Sequence, residues 1–362
     1  MKQRTLVAAL VMALVFALPT PARAASAALS PPIWSSDLPG GARSLTVDAG
    51  GAVVTIDSGH VRALDAQGRT RWQTKVDGVS AGAPATDRDL VLVGAIGRVV
   101  ALSRADGAIR WEQPMDAEVY SLALGGSFAI AGDGSGTLRA FDASSGAVRW
   151  SVHYPGDQFS ASRIDVAASV VVAIWHERPA PTTRAFELAT GTLRWEHLAD
   201  LFTAAPVVSG GRAFVAFGDG KFSAAVGGYD LITGHPDWAV IMPASFEPNI
   251  VPAVDGHDLV VIDRIGQVSA IDPVSGEPRW TRELHQRIFD TQVVLLARRV
   301  VVTTLSGELF VLDRFSGRVV GHTDTRRLNG LPIAVARVGT GNRVLVAYRL
   351  TEPGRVEMRR VR

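Results

Sequence analysis

The sequence of 362 residues contains no cysteine, which excludes a disulfide framework, a thiolate nucleophile and a cysteine-based metal site. For the same reason we expect no lipid anchor, since a lipoprotein needs a cysteine beside its cleavage site. Lysine is also scarce, and the net charge is only +2. Arginines are scattered, and the one dense basic run is Arg359-Arg360-Val361-Arg362. Because nucleic-acid binding favours a basic stripe interleaved with aromatics, we expect no nucleic-acid partner.

Long apolar runs are missing except near the N-terminus, at residues 6–18. Lys2 and Arg4 precede this run, and Ala22-Arg23-Ala24 fits a small-x-small cleavage site. The pattern predicts a secretory signal peptide over residues 1–24, and therefore a periplasmic or secreted protein. The alternative, a membrane anchor, is disfavoured because a spanning helix needs about 20 apolar residues. We expect residues 25–32 to form a mobile linker and residues 33–362 to form one domain.

One phrase, AFDASSGAVRW at residues 140–150, returns along most of the chain. Its turn glycine recurs at intervals of 39, 39, 45, 43, 42 and 41 residues. The glycines are Gly68, Gly107, Gly146, Gly191, Gly234, Gly276 and Gly317. A period of about 40 to 45 residues is typical of one four-stranded propeller blade.

Each position of the phrase has a physical role. The acidic side chain can accept hydrogen bonds from the N–H groups of its own turn, and the glycine supplies the positive φ that closes it. The tryptophan is a large plate suited to packing on the neighbouring blade, provided that its N–H finds an acceptor. The other repeat positions are Asp65, Trp72, Trp111, Asp142, Trp150, Trp195, Asp230, Trp238, Asp272, Trp280 and Asp313.

The runs between the turns are short and rich in Val and Ile, which predicts an all-β fold. Seven turn phrases suggest seven blades, but the two chain ends favour eight. Trp34 precedes Trp72 by about one repeat, and three strand-like runs follow Gly321 at residues 333–338, 343–348 and 355–361. These three runs lack a fourth strand, which the segment at Trp34 would supply. Pairing the N- and C-terminal segments in one blade closes the ring and removes exposed sheet edges. Seven blades remain the alternative.

The phrase Ala-x-Asp-x-x-x-Gly-x-x-x-Trp resembles the tryptophan-docking motif of the PQQ-like propeller repeats, and the resemblance covers the chain from Trp34 onward. WD40 and kelch repeats have different signatures. The resemblance implies an eight-bladed propeller. The superfamily contains periplasmic quinoprotein dehydrogenases and the non-enzymatic BamB-type component of outer-membrane protein assembly, so it leaves the function open.

The first functional hypothesis is a non-catalytic, monomeric interaction scaffold of the cell envelope, similar to BamB, with partner strands adding to blade edges as one mode of recognition. The second is a quinoprotein-like funnel that binds PQQ and calcium. Glu247, Asn249 and Asp290 fall in loops between blades and offer hard oxygen ligands of the kind that calcium prefers. However, the adjacent cysteines and the long insertions typical of those enzymes are missing, and we expect no catalytic residues.

A third reading places a small ligand in the funnel, bound by the two longest departures from the repeat. Residues 153–163 include Tyr154, Asp157, Gln158 and Phe159. Residues 175–184 include His176, Glu177 and two prolines. His153 and His176 could begin a metal site, but no third ligand is evident, so we expect no metal. The glycine-rich residues 132–136 fit a hairpin turn better than a phosphate or calcium loop.

Overall fold

A computed structural model describes residues 28–48, 51–154, 163–177, 181–198, 202–203, 206–218, 224–242, 252–263, 266–285, 293–304, 307–324, 331–339, 341–349 and 354–362. These residues form β-strands, turns and short irregular segments, and they contain no helix.

The strands follow one another at short intervals. They are β1 (Trp34–Leu38), β2 (Ala42–Asp48), β3 (Gly51–Ile56), β4 (His60–Leu64), β5 (Thr70–Lys75), β6 (Ala85–Thr86), β7 (Leu90–Ala95), β8 (Arg98–Ser103), β9 (Ile109–Pro114), β10 (Val119–Gly125), β11 (Phe128–Asp133), β12 (Thr137–Asp142), β13 (Val148–His153), β14 (Arg163–Ala167), β15 (Val170–Trp175), β16 (Thr182–Glu187), β17 (Leu193–Leu198), β18 (Phe202–Thr203), β19 (Val207–Ser209), β20 (Arg212–Gly218), β21 (Ala224–Asp230), β22 (Pro236–Met242), β23 (Ala253–Val254), β24 (Leu259–Ile262), β25 (Gln267–Ile271), β26 (Pro278–Glu283), β27 (Val293–Leu295), β28 (Arg299–Thr303), β29 (Glu308–Asp313), β30 (Val319–Asp324), β31 (Leu331–Val338), β32 (Arg343–Arg349) and β33 (Gly354–Arg360).

The strands form eight antiparallel sheets, each of which is one blade. Blade 1 contains β2 to β5, and each following blade takes the next strands in order up to β27 to β30 in blade 7. In blade 5 the innermost strand is split into β18 and β19, which both pair with β20. The first strand of every blade contacts the first strand of the next, and β31 of blade 8 contacts β2 of blade 1. The contacts therefore close a ring, and the predicted all-β, eight-bladed propeller is confirmed.

Burial follows the position of a strand within its blade. The middle strands are apolar on both faces because a neighbouring blade covers each face. All six residues of β7 (LVLVGA) and of β15 (VVVAIW) are buried. The outermost strands alternate instead, and in β13 only Trp150 is buried while its neighbours are exposed or half-buried. The core therefore lies between blades, and no blade has a complete core of its own.

Seven seams between blades share one joint, in which an outer-strand tryptophan packs against the turn of the following blade. Trp150 donates a hydrogen bond from Nε1 to the carbonyl oxygen of Leu188 at 2.8 Å, and its ring lies against Gly191. A Cβ added at Gly191 would stand 2.7 Å from Trp150 Cδ2, so only glycine allows the approach. The same pair of contacts recurs for Trp34, Trp72, Trp111, Trp195, Trp238 and Trp280.

The turn that receives each tryptophan is organised by its acidic residue. In blade 3 the carboxylate of Asp142 accepts hydrogen bonds from the backbone N–H groups of Ser144 and Ser145. Gly146 donates its N–H to the Asp142 carbonyl at 2.8 Å with a φ of 75°. A residue with a Cβ pays a steric cost at such a φ, so glycine is favoured here even before the tryptophan is considered.

Blade 8 combines the two ends of the chain. Its sheet order is β31, β32, β33 and then β1, with Trp34 opposite Met358 and Leu38 opposite Gly354. The predicted closure by Trp34 and the three C-terminal strands is therefore confirmed. Trp34 also makes the joint to blade 1, because its Nε1 donates to the Ala66 carbonyl at 3.0 Å.

The seam between blades 7 and 8 is the exception, because Gly321 stands where the other blades have tryptophan. A Cβ at Gly321 would lie 2.8 Å from the Cα of Ala28, whose N–H donates to Thr323 Oγ1 at 2.9 Å. Leu29 bridges to Val361, and both Ala28 and Leu29 are buried. This part of the segment expected to be a mobile linker is thus packed into the seam that lacks an indole.

The joint predicts that two glycine substitutions lower the free energy of unfolding by different amounts. Gly126 and Gly146 both have positive φ, but a Cβ at Gly126 meets nothing within 4 Å, whereas one at Gly146 would stand 2.7 Å from Trp111 Cδ2. We expect Gly126→Ala to lower the free energy of unfolding by about 1 kcal/mol through backbone strain alone. Gly146→Ala should cost about 1 to 3 kcal/mol more through overpacking. Urea denaturation of both variants measures the difference, and equal losses would contradict the joint.

The turn carboxylates predict acid sensitivity. Hydrogen bonds from the Arg279 guanidinium and from the Ser275 and Val274 amides hold the pKa of Asp272 at about 2. A carboxylate with a lowered folded pKa stabilises the native state above its unfolded pKa, and this contribution is lost as the pH falls from about 4 towards 2. We expect Asp272→Asn to flatten this part of the curve of urea midpoint against pH.

Glu277→Gln is the matched control for Asp272→Asn. It removes a carboxylate from the same turn, and the described structure shows no hydrogen bond to that carboxylate. The acid limb of the control should match that of the wild type. An unchanged acid limb in Asp272→Asn would contradict the role given to the turn hydrogen bonds.

Candidate functional site

The antiparallel order of each blade sorts its connections onto two faces of the ring. The turns between first and second strands and between third and fourth strands lie on one face, which we call the turn face. The connections between second and third strands and between successive blades lie on the opposite face, which we call the loop face. Both long departures from the repeat, residues 153–163 and 175–184, begin on the loop face of blades 3 and 4.

The structure brings the described parts of these two segments together around one arginine. The rings of Tyr154 and Trp175 meet edge to face with centroids 5.4 Å apart. The guanidinium carbon of Arg184 lies 3.9 Å from the Tyr154 ring centroid. Trp175 is fully buried and donates from Nε1 to the Gly136 carbonyl of blade 3 at 2.8 Å. We call Tyr154, Trp175 and Arg184, with the two glutamates described next, the arginine–aromatic cluster.

Two carboxylates neutralise the buried arginine of this cluster. Glu177 accepts from both terminal nitrogens of Arg184 at 2.7 and 3.0 Å, and Glu196 accepts from Nε at 3.0 Å. Burial alone would lower the pKa of Arg184, but the hydrogen bonds and charges of Glu177 and Glu196 outweigh burial and raise the pKa. A bidentate pair fixes direction as well as distance. The cluster therefore holds the ends of two loops in one arrangement.

Beside the cluster, Asp133 organises the loop face of blade 3. Its side chain is buried and accepts from the backbone N–H groups of Asp116, Ala117, Ser135 and Thr137. The predicted hairpin turn at residues 132–136 is confirmed, since it joins β11 to β12. A single carboxylate thus ties this hairpin to the connection that enters blade 3.

A hydrogen-bonded chain runs from Asp116 to His153 on the same face. Thr137 donates its hydroxyl to Asp116 Oδ2 at 2.8 Å, so the His153 Nδ1 at 3.0 Å serves as the donor to Thr137. This assignment leaves Nε2 of His153 without a hydrogen bond in the described structure, on an exposed ring. The hydrogen bond to Thr137 therefore fixes the orientation of the His153 ring on the loop face.

An acidic side chain, Asp165, also lies on the innermost strand of blade 4. Burial raises the pKa of Asp165 in β14, although the backbone N–H groups of Val208 and Val166 donate to its carboxylate. The bond to Val208, at 2.8 Å, joins the innermost strands of blades 4 and 5. Asp165 therefore helps to hold the innermost strands of blades 4 and 5 together.

The candidate ligands for calcium and PQQ lie outside the described part of the chain. They are Glu247, Asn249 and Asp290, and the same holds for Asp157, Gln158, Phe159 and Pro179. Within the described ranges, no group of three or more His, Asp or Glu side chains is placed to hold a metal ion. His153 and His176 thus remain unassigned as metal ligands.

Sequence reasoning selected Tyr154, His153, His176 and Glu177 but missed Arg184, the residue on which the cluster depends. Arg184 sits in β16 at a position where the strand pattern alone predicts an ordinary surface arginine. The structure supplies the sign that the sequence lacks, because β16 (TTRAFE) is buried at its first five positions. A buried arginine requires carboxylate partners, and Glu177 lies close in sequence.

Comparison with known proteins shows the family. The family model described as "Outer membrane protein assembly factor BamB" matches residues 25–174, 97–244, 134–337 and 264–356. The outer membrane protein assembly factor BamB of Bordetella pertussis is 26% identical over 271 residues, which cover 70% of this chain and 67% of that protein.

Solved structures agree on the fold. BamB from Moraxella catarrhalis superposes with a TM-score of 0.73 at 19% identity, covering 93% of this chain and 98% of that one. A quinohemoprotein alcohol dehydrogenase from Pseudomonas putida gives a TM-score of 0.67 at 12% identity and covers 93% and 77%. At such low identities these likenesses show the propeller alone. No helix in the described ranges is long and apolar enough to cross a bilayer.

The cluster predicts an energetic coupling between its arginine and its tyrosine. We expect Tyr154→Leu and Arg184→Met to be non-additive, with a coupling of about 1 kcal/mol, because the double variant loses the cation–π contact only once. A double-mutant cycle in urea measures the coupling. The matched control is the cycle of Tyr154→Leu with Arg212→Met, since Arg212 pairs with Asp237 in blade 5. Additive losses in both cycles would contradict the predicted coupling between Tyr154 and Arg184.

Proposed function

Because the chain belongs to the family of the outer membrane protein assembly factor BamB, we propose that it is an exported, non-catalytic propeller that supports outer-membrane protein assembly by docking a partner protein on its loop face. The observation that carries the proposal is the span of the family match. Its segments together extend from residue 25 to residue 356, which includes strands of all eight blades.

The construction of the loop face supports a docking role. The arginine–aromatic cluster and Asp133 fix the bases of the connections at blades 3 and 4 by buried hydrogen bonds. A surface whose side chains are already ordered loses little conformational entropy on binding, which favours association with another folded protein. Exposed groups such as His153 stand on this fixed base.

The proposal also includes export and a single-chain state. Residues 1–24 have the order of a secretory signal, with Lys2 and Arg4 before an apolar run and a small-x-small site at Ala22-Arg23-Ala24. The partner is an envelope protein, because export would place the chain in the cell envelope. Within this reading the ring itself serves as the rigid support.

The proposal is tested in the host organism by deleting the gene and complementing it. We expect the deletion to lower the levels of outer-membrane β-barrel proteins, measured by quantitative mass spectrometry of membrane fractions, and the full chain to restore them. Glu177→Gln with Arg184→Met should restore them less well, because the loop ends lose their support. Arg212→Met is the matched control, since it breaks an ion pair that lies away from the cluster.

Two results would overturn the proposal. The first is an unchanged set of barrel proteins in the deletion strain while the chain is found in the envelope fraction. The second is a rise in melting temperature of the purified protein with PQQ and Ca²⁺, together with dye-linked alcohol oxidation, which would establish a quinoprotein instead.

A further inference from the structure

The dense basic run at the end of the sequence belongs to a larger cluster on the turn face of blades 7 and 8. The cluster, which we call the arginine patch, consists of Arg298, Arg318, Arg343, Arg360 and Arg362. All five side chains are exposed, and the described structure shows no hydrogen bond or ion pair for any of them. Among the other described residues most arginines are paired, for example Arg184, Arg212 and Arg355.

Backbone contacts bring these positions together. The N–H of Arg314, in the turn before Arg318, donates to the Arg298 carbonyl at 3.1 Å. The Nε of Arg299 donates to the Arg362 carbonyl at 3.2 Å. The N–H of Val361 donates to the Asn342 carbonyl at 2.8 Å, beside Arg343. The patch therefore spans the first turn and the last turn of blade 7 and the adjacent first turn of blade 8.

Two members of the patch face each other at an energetic cost. Arg343 and Arg360 are directly opposite in the antiparallel pair of β32 and β33. Opposite residues of such a pair project on the same side of the sheet, so the two like charges destabilise the pair. An anion bound between them would turn this repulsion into attraction.

Three described acidic groups beside the patch are already engaged. Asp313 accepts from Arg299 and from its own turn, and Glu357 is buried against Arg359. On the side of blade 6, Asp258 accepts from Arg279 and Arg314. The positive charge of the patch is therefore left for an external partner.

Exposed apolar side chains lie on the same face. At the second residue after the turn aspartate, blades 5, 6 and 7 carry Ile232, Val274 and Phe315, which are 45%, 62% and 68% exposed. In each, the backbone N–H donates to the aspartate, which holds the side chain at the tip of the turn. Phe315 and Arg318 belong to the same turn.

We propose that the turn face of blades 5 to 8 docks on an anionic lipid surface. The arginine patch would bind headgroup phosphates, which guanidinium groups can hold through two parallel hydrogen bonds. Phe315, Val274 and Ile232 would enter the interfacial layer, as apolar residues of peripheral proteins do. A lipid surface fits better than a nucleic acid because the tips of three consecutive blades lie on one face of the ring and are aliphatic or isolated aromatic residues.

The test is flotation of the purified full chain with vesicles. We expect binding to vesicles of equal parts phosphatidylethanolamine and phosphatidylglycerol, weakening as salt rises because ions screen the charges. Phosphatidylcholine vesicles should bind at least tenfold less. Each arginine near an anionic surface changes the partition coefficient about fivefold, so Arg343→Gln with Arg360→Gln should lower it about 25-fold. Phe315→Ser should lower it several-fold.

Arg71→Gln with Arg88→Gln is the matched control. Both residues are exposed, and they lie in blades 1 and 2, outside the patch. This control should bind anionic vesicles like the wild type. The Arg343/Arg360 variant should melt at or above the wild-type temperature because a like-charge pair has been removed, which separates loss of binding from loss of folding.

Three outcomes would overturn this inference. They are equal binding to neutral and anionic vesicles, equal loss of binding in the patch and control variants, and binding to heparin or to an acidic protein without binding to vesicles. The assay uses the purified chain alone. Its failure is therefore distinct from failure of the proposed assembly role, which the deletion strain tests.

Discussion

The indole of each outer-strand tryptophan is confined between a glycine and one carbonyl oxygen of the next blade, and the closed ring depends on this confinement. A flat ring that must also satisfy its N–H has one position and one orientation against the turn. Trp150, for example, reaches the Leu188 carbonyl only because Gly191 has no Cβ. Since no blade has a complete core of its own, the rotation between neighbouring blades is set by these joints, and repeating one rotation closes the circle.

Closure adds a second constraint, because the last blade is built from both chain ends. Trp34 pairs its strand with β33 and at the same time makes the joint to blade 1. Ala28 lies against Gly321, at the seam that has no indole. The N-terminal segment therefore links blades 7, 8 and 1. Arg359 reinforces it by donating to the Ser30 carbonyl while Glu357 balances its buried charge.

Buried arginines reinforce two of the seams that the tryptophan joints already connect. Arg314 occupies the residue after the turn aspartate in blade 7, and its guanidinium is bound by Asp255 and Asp258 of blade 6. Arg184 is held by Glu177 and Glu196 within blade 4 and stacks on Tyr154 of blade 3. Breaking a buried pair is costly, while forming it gains little over apolar packing. Such pairs therefore fix the relative position of elements more than they add stability.

The sequence allowed the ring to be predicted because Asp, Gly and Trp recur at a spacing that the blade geometry imposes. It also allowed closure to be predicted, since Trp34 keeps the spacing although its turn is cut. The place of Ala28 could not be predicted, because nothing near Gly321 identifies the residue that fills a missing indole from the other end of the chain. The contact of Tyr154 with Arg184 and the pairing of Arg343 with Arg360 depend on loop path and strand register, which the repeat does not encode.

The repeat also explains where function can reside. At the second residue after the turn aspartate in blades 5, 6 and 7, the backbone N–H is used by the turn but the side chain is exposed. Ile232, Val274 and Phe315 can differ there without altering the ring. On the loop face the freedom lies in connection length, as at residues 153–163. A partner protein would therefore bind connections whose length can vary, and a lipid surface would bind turn-tip side chains whose identity can vary. Either interaction could change while the joints between blades stay intact.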